Sequence, residues 1–524
     1  MSVNSAGFLL FLAAGVVLYY AVPKKIRYLV LLAASVCFYL FYSVKAAVYL
    51  LVTVVLTYVC GLGLGALRGK EEKEAYLIVD KEERRALKRS FRRRRRLLLG
   101  LVLALNFATL ALFKYLGSWI IGVNRIFGTS FRPLKLLLPL GISFYIFQTA
   151  GYLIDVYRGR QKCEKNFLKY TLFAIYFPQM IQGPINRFGS LADDLFGGSS
   201  FNADNIRFGI QLMLWGMLKK AFIADTLSVA VGEIYTNFTE YPGASVLLGV
   251  ALYCIQLYAD FSGGTDLVRG ASQLFGVNMA ENFRRPYLSS SLDEFWRRWH
   301  ISLGEWMKDY LFYPLALSGP MNRLSKAVRR RVSPELGKLI VPSAATVVVF
   351  LAVGIWQGPG LSNVVYGLWN GVLMSLALLM EKPFRRMKGT LHIKEDSRGL
   401  KVFGVFRTCL IVIIGRYFSR SDSLRQACRM LWRTVRYFGD GGLGLRVFTG
   451  FGIGGGAWCR ILIACAALLC VSLIQERGVR IRETLAKRHW TVQFILLFAA
   501  LFLLVVFVYL NRDYTAIAYV YENI

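Results

Sequence analysis

No stretch of the 524 residues is polar for longer than an ordinary loop, so the chain has no separable soluble domain, and it contains no internal repeat. The nine cysteines show no CxxC or other metal-ligand spacing, and Cys37, Cys60, Cys254, Cys409, Cys465 and Cys470 fall inside apolar runs. They read as small core residues, which excludes a disulfide framework and a zinc site. The run GFGIGGG at 450–456 looks like a phosphate loop only superficially, because no strand precedes it. It reads as a flexible connector. Acidic residues are scarce, 31 against 64 lysines and arginines, for a net charge of +33. Histidine is scarcer still: there are three, and one of them, His300, sits in FWRRWHISLGEW (295–306) among three tryptophans and two arginines.

What the sequence has in abundance is apolar surface. Hydrophobic residues make up 56% of it, and runs of membrane-spanning length recur from end to end. They predict helices at about 5–22, 27–43, 46–66, 97–118, 138–156, 208–235, 244–260, 339–358, 361–380, 402–415, 457–474 and 491–510. The reading is an all-α polytopic membrane protein with one integral membrane domain over 1–524. No basic region precedes the first run and Pro23-Lys24-Lys25 follows it, which argues against a cleaved signal peptide and puts the N-terminus outside. Thirteen of the basic residues lie in an expected loop at 67–96, and further basic clusters occupy 157–169, 323–338, 381–401 and 477–490. Alternating crossings put all five on the cytoplasmic side. Contact with anionic membrane lipids therefore accounts for the charge, and nucleic acid is not expected as a partner. Residues 416–446 dissent: they carry seven arginines yet fall outside, so either a helix is miscounted or the segment lies along the outer interface.

Several polar groups lie where lipid would penalise them. On a helical wheel of 292–310 the aromatic and aliphatic residues form one arc, Asp293, Glu294, Arg297, Arg298, Glu305 and Lys308 lie opposite, and His300 sits at the edge of the apolar arc. That pattern predicts a helix lying in or just below the interface, where His300 is either an amphipathic filler or a functional group. YADFSGGTDLVRG (258–270) places Asp260 and Asp266 at a helix end, and GISFYIFQTAGYLIDVYRG (141–159) carries Gln148, Tyr152 and Asp155 through a crossing. Such helices face one another or a wet cavity, since an unpaired polar group in hydrocarbon is costly. YFPQMIQGPINRF (176–188), broken by Pro178, Gly183 and Pro184 and polar at Gln179, Gln182 and Asn186, reads as a re-entrant segment packed inside the protein.

In order and spacing, PLGISFYIFQTAGYLIDVYRG, FPQMIQGPINRF, YADFSGGTDLVRG, NFRRPYLSSSLDEFWRRWHISLGEWMKDYLFYPLA and GIWQGPGLSNVVYGLWNG resemble the membrane-bound O-acyltransferase family, in particular its bacterial alginate O-acetyltransferase branch. The resemblance covers about 1–420 and leaves 421–524 as an interfacial segment with two further membrane helices. It implies a ring of about eleven to twelve helices around a buried chamber in the bacterial cytoplasmic membrane. It also implies transfer of an acyl group, in this branch acetyl, from a cytoplasmic thioester donor (acetyl-CoA or an acyl carrier) toward a hydroxyl of an exported polysaccharide. No bound cofactor or metal is implied; a periplasmic or extracellular acyltransferase partner is. Two histidine positions carry the family's chemistry. The first falls on His300, as general base or acceptor-orienting group. The second lies in a tryptophan-histidine-glycine motif that aligns with Trp356-Gln357-Gly358, where glutamine can donate a hydrogen bond to an acyl oxygen but cannot take up a proton near neutral pH. Trp299, Asp260, Gln148, Gln182, Trp356 and Asn370 are the implied chamber lining. The missing histidine admits a second reading, a catalytically degenerate scaffold or conduit for polysaccharide export, and D-alanyl transfer to teichoic acid is the related chemistry of a neighbouring branch. A straight helix entered from the cytoplasm at 339 would put Gln357 roughly 27 Å from its start. His300 must then dip inward, or that helix must tilt or start late.

Overall fold

A computed structural model of the protein describes residues 5–133, 139–394, 397–440, 450–510 and 517–519. Among them the only strand-like pairing is a single antiparallel bridge, Phe283 with Trp299; the rest is helix and connection. Among the described residues nine helices are long and apolar enough to cross a membrane, and Ala6–Ala21 is a shorter apolar helix. Every expected run falls on a helix. Those at 138–156 and 208–235 are not among the nine: the first is a helix of 17 residues, Ile142–Arg158, and the second carries buried Lys219, Lys220 and Asp225.

The chain forms two compact units. The first takes 5–213 and 264–280 of the described residues. Its helices are α1 (Ala6–Ala21), α2 (Arg27–Tyr42), α3 (Val44–Leu77), α4 (Lys81–Phe127), α5 (Ile142–Arg158), α6 (Phe167–Ile175), α7 (Gln179–Gln182), α8 (Phe188–Gly197) and most of α9 (Ala203–Leu218). The stretch 67–96 is not a loop. It is helical except at 78–80, because its Lys, Arg, Glu and Ala are strong helix formers. Asp80 caps the start of α4 by accepting from Glu83 N at 2.7 Å, and Arg95 pairs with Glu71 across the two helices. Two buried polar residues of α5 are satisfied, one locally and one by a neighbour: Thr149 Oγ1 donates to Tyr145 O at 2.7 Å, and Tyr152 Oη accepts from Glu164 N at 2.8 Å. Residues 176–180 and 182–186 are buried, and irregular backbone flanks the single turn of α7, as expected of a re-entrant segment.

The second unit takes 214–263 and 281–519. It holds α10 (Thr226–Asn237), most of α11 (Gly243–Leu274), α12 (Leu292–Arg298), α13 (Ile301–Met307), α14 (Tyr313–Ala316), α15 (Gly319–Arg331), α16 (Pro334–Gln357), α17 (Leu361–Leu379), α18 (Glu381–Thr390), α19 (Arg398–Arg420) and α20 (Leu424–Arg436), then helices Gly455–Glu476, Ile481–Ala486 and Trp490–Val505. Because α11 runs to Leu274, Asp260 and Asp266 lie within a helix and not at its end. Ser333 caps α16, accepting from Leu336 N at 3.0 Å. α16 and α17 cross backbone on backbone: a Cβ on Gly354 would stand 2.4 Å from Asn363 O, and one on Gly367 would stand 2.4 Å from Phe350 O. Small residues are what allow this approach, and it fixes the Trp356-Gln357-Gly358 turn that joins the helices. The arginines at 416–446 divide. Arg416 and Arg420 end α19, the next four lie on the amphipathic α20, and Arg446 falls outside the described residues.

Candidate active site

The helix expected over 292–310 is broken at its centre. Ser291 starts α12 by accepting from Glu294 N at 3.2 Å, but Trp299 is extended (φ −104°, ψ 125°) and His300 is left-handed (φ 48°, ψ 53°) before α13 begins. The cause lies in 282–284, which pairs across the break: Arg284 N donates to Arg298 O at 2.9 Å and Ile301 N to Asn282 O at 3.0 Å. These bonds take up main-chain groups that a continuous helix would otherwise satisfy. His300 is therefore not an edge residue of an interfacial helix; it is 3% exposed, at a tight chain reversal.

Asn282, fully buried, organises the reversal. Its Oδ1 accepts from Ser302 N at 3.2 Å and Ser302 Oγ at 2.9 Å, and lies 3.1 Å from His300 Nδ1. The Ser302 amide can only donate, so the atom facing it is the carbonyl oxygen of Asn282 and not the amide nitrogen. His300 Nδ1 then carries the proton, and Nε2 holds the lone pair. Phe261 stands edge-on to the imidazole with ring centres 4.8 Å apart, and Trp356 lies at 6.3 Å. Burial pushes His300, which lies outside the membrane-spanning helices, down to about 3, so the ring is neutral at physiological pH. A neutral, oriented imidazole with its lone pair on Nε2 is the form that can accept a proton from a hydroxyl.

The second unit thus gathers His300, Trp299, Trp356 and the part of α11 that bears Asp260. Trp299 stacks on Phe295 at 5.6 Å. Trp356 is buried, and Gln357, half-buried, is the last residue of α16. α16 does not start late but earlier, at Pro334, and its far end, at Trp356, lies beside His300. Asp260 is buried in an ion pair, 2.5 Å from Lys220 Nζ, which also lies 2.9 Å from Asp225; Lys219 Nζ donates to Ser262 Oγ at 2.9 Å. The two lysines occupy a π-helical stretch, Lys219–Asp225, between α9 and α10. Asn370 is buried on α17, its amide donating to Tyr366 O at 2.8 Å. Gln148 and Gln182 belong to the first unit, where both are buried. Gln148 Nε2 donates to Gln179 Oε1 at 2.8 Å, and Asn186 Nδ2 to the same oxygen at 3.2 Å. The Gln182 amide has no hydrogen-bond partner among the described residues.

Asn282, Lys220 and Arg416 are polar residues of the second unit that sequence reasoning did not single out. Lys219-Lys220 in the middle of an apolar run was a readable sign of a buried ion pair. Asn282 stood only as the first residue of a family motif, since its weight comes from contacts 18 and 20 residues away.

A model of the membrane-bound O-acyltransferase family matches residues 164–327. The chain is 33% identical over 427 residues to a protein described as probable alginate O-acetylase AlgI of Pseudomonas syringae pv. tomato, covering 81% of this chain and 72% of that one. It is 27% identical to a peptidoglycan O-acetyltransferase of Helicobacter pylori, over 76% of this chain and 72% of the relative. It is 26% identical to a teichoic acid D-alanyltransferase of Bacillus subtilis, over 54% and 69%. With one third of the aligned residues identical across four fifths of its length, on helices suited to crossing a membrane many times, the chain belongs to the membrane-bound O-acyltransferase family.

Proposed function

We propose that this protein transfers an acyl group, of acetyl size, from a cytoplasmic thioester toward a hydroxyl of an exported cell-surface polysaccharide, in the bacterial cytoplasmic membrane. The observation that carries the reading is the extent of the likeness to alginate O-acetylase, joined by a relative that acts on peptidoglycan. In this reading His300 Nε2 takes the proton of the acceptor hydroxyl as that oxygen attacks the thioester carbonyl carbon. The C–S bond then breaks, and the imidazolium returns the proton to the leaving thiolate. Burial disfavours the imidazolium until negative charge develops beside it, so the protonated ring forms with the oxyanion and not before. Gln357 donates its amide N–H to that oxyanion, Trp299 and Trp356 wall the imidazole, and Asp260, held by Lys220, keeps the polar part of α11 in place. Asn370 supplies further polar lining within the second unit. The donor is acetyl-CoA or an acyl carrier, and a partner acyltransferase outside the membrane completes delivery to the polymer.

Mass spectrometry of surface polymers from cells with and without the protein tests this. Acetyl esters present only with the protein are expected; identical polymers in both would refute the reading. A second reading, a non-catalytic conduit in polysaccharide export, is favoured by one observation, glutamine at 357 where the family motif has histidine. It predicts loss of polymer export with no change in acylation per sugar.

A further inference from the structure

Arg416 is 3% exposed on α19 and makes no ion pair with a carboxylate among the described residues. The groups that face it are the phenols of Tyr253, Tyr287 and Tyr366 and the thiol of Cys254, all neutral near pH 7, the thiol at most a weak acceptor. Its Nη1 donates to Tyr366 Oη at 2.9 Å, and its guanidinium carbon lies 5.1 Å from the centre of the Trp299 ring. That ring is the residue before His300. Nε and Nη2 have no oxygen or nitrogen partner among the described residues; the weak contact of the guanidinium with the Cys254 thiol is the nearest substitute. A buried charge in this state is costly unless something pairs with it, and the aromatic contact offsets only part of the cost.

The two open nitrogens are informative because of which two they are. With Nη1 engaged, the Nε–H and the adjacent Nη2–H point the same way and form the side-on fork that grips two oxygens of one group. We propose that Arg416 is an oxyanion-binding residue, taking a monoanionic two-oxygen group, a carboxylate or a phosphodiester, bidentately through Nε and Nη2. A single negative charge neutralises the site, whereas a dianion would leave a buried excess. Tyr366 holds the guanidinium from the opposite edge, and Trp299 couples its position to the chain reversal at His300. The proposal does not depend on the acyl-transfer reading, since the binding is measured on the protein alone.

The test is thermal unfolding of the full-length chain in a maltoside detergent, titrated with sodium acetate as the carboxylate probe and with sodium dimethyl phosphate as the phosphodiester probe, at constant ionic strength. A saturable rise in unfolding midpoint with one probe is expected, and which probe gives it identifies the source of the anion. Arg416→Lys keeps the charge but loses the fork, and should raise the half-saturating concentration about tenfold or more, as expected for the loss of one charge-assisted hydrogen bond. Should that variant not fold, Tyr366→Phe keeps the ring, removes the hydroxyl that orients the guanidinium, and is expected to weaken the same probe several-fold. No saturable rise with either probe in the unmodified chain, or superimposable titrations in the unmodified chain and the variant, would overturn the proposal.

Discussion

A histidine whose Nδ1 is committed to a carbonyl oxygen offers chemistry only through Nε2, and that commitment is what distinguishes His300 from a packing residue. Its left-handed backbone decides which substitution is informative. Alanine at φ 48° costs about 1–2 kcal/mol of backbone strain and leaves a hole. Asparagine tolerates that conformation and can still reach Asn282. His300→Asn is expected to insert at near-normal abundance and to lower acyl transfer by about 10²–10⁴; polymer acylation unchanged at equal abundance would mean the ring is not the base. The same burial makes a prediction about pH. The folded imidazole is held near 3 against an unfolded value of 6.5, so the unfolded state binds the extra proton between them. Stability attributable to this residue is full above pH 6.5 and falls by about 1.4 kcal/mol per unit toward pH 3. Midpoints recorded over that range should fall more steeply for the unmodified chain than for His300→Asn, and parallel curves would contradict it. Gln357→His separates the two functional readings. If His300 is the sole base, histidine at 357 changes transfer by less than about a hundredfold; if nothing is acylated until histidine is restored, the chain as it stands is silent. At this scale His300 was legible because histidine is so rare here and this one stands among aromatics. Arg416 was legible only as a charge, read as lying outside the membrane because it follows the last apolar residue of its run.

Helices carried most of what the sequence could reveal, because apolar runs against flanking charge report burial directly and each expected span landed on one. Two elements escaped that logic. The amphipathic period across 292–310 is compatible with one helix, and only the long-range pairing of 282–284 with 298–301 breaks it. The charged stretch 67–96 read as a loop because charge was taken to mean connection, although its residues are good helix formers. The crossing of α16 and α17 shows how an element positions the site. Gly354→Ala drives a methyl into Asn363 O and the Gly367 backbone, with no flexible side chain to yield, and is expected to cost about 1–3 kcal/mol and to displace Trp356 and Gln357. Gly232 on α10 supplies the contrast, since no atom lies within 4 Å of an added Cβ. Gly232→Ala should be neutral or stabilising by roughly 0.5–1 kcal/mol. Unfolding midpoints of the two variants in detergent check this, and equal shifts would mean the crossing does not constrain the fold.

In the proposed reading the molecule meets a donor on one side of a membrane and an acceptor on the other, so its orientation is part of its chemistry. α4 is 47 residues long, about 70 Å, more than twice the roughly 30 Å of hydrocarbon it must cross. Its apolar part lies near 97–118. The preceding sixteen residues, Lys81 to Arg96, therefore project about 24 Å beyond the bilayer as a basic shaft, joined to the end of α3 by the Arg95–Glu71 pair. A net charge of +33 concentrated in such segments is favoured on the cytoplasmic side during insertion and held there by anionic headgroups. The far end of α4, with Ser130 just beyond it, then faces outward. In a background with the nine native cysteines replaced, Ser130→Cys should react with a membrane-impermeant thiol reagent in intact cells, and Glu82→Cys only after permeabilisation; both positions are exposed, so access depends on the membrane alone. The reverse pattern would put the basic shaft outside, leave a cytoplasmic thioester on the wrong side of His300's helices, and remove the physical basis for transfer from the cytoplasm to an exported polymer.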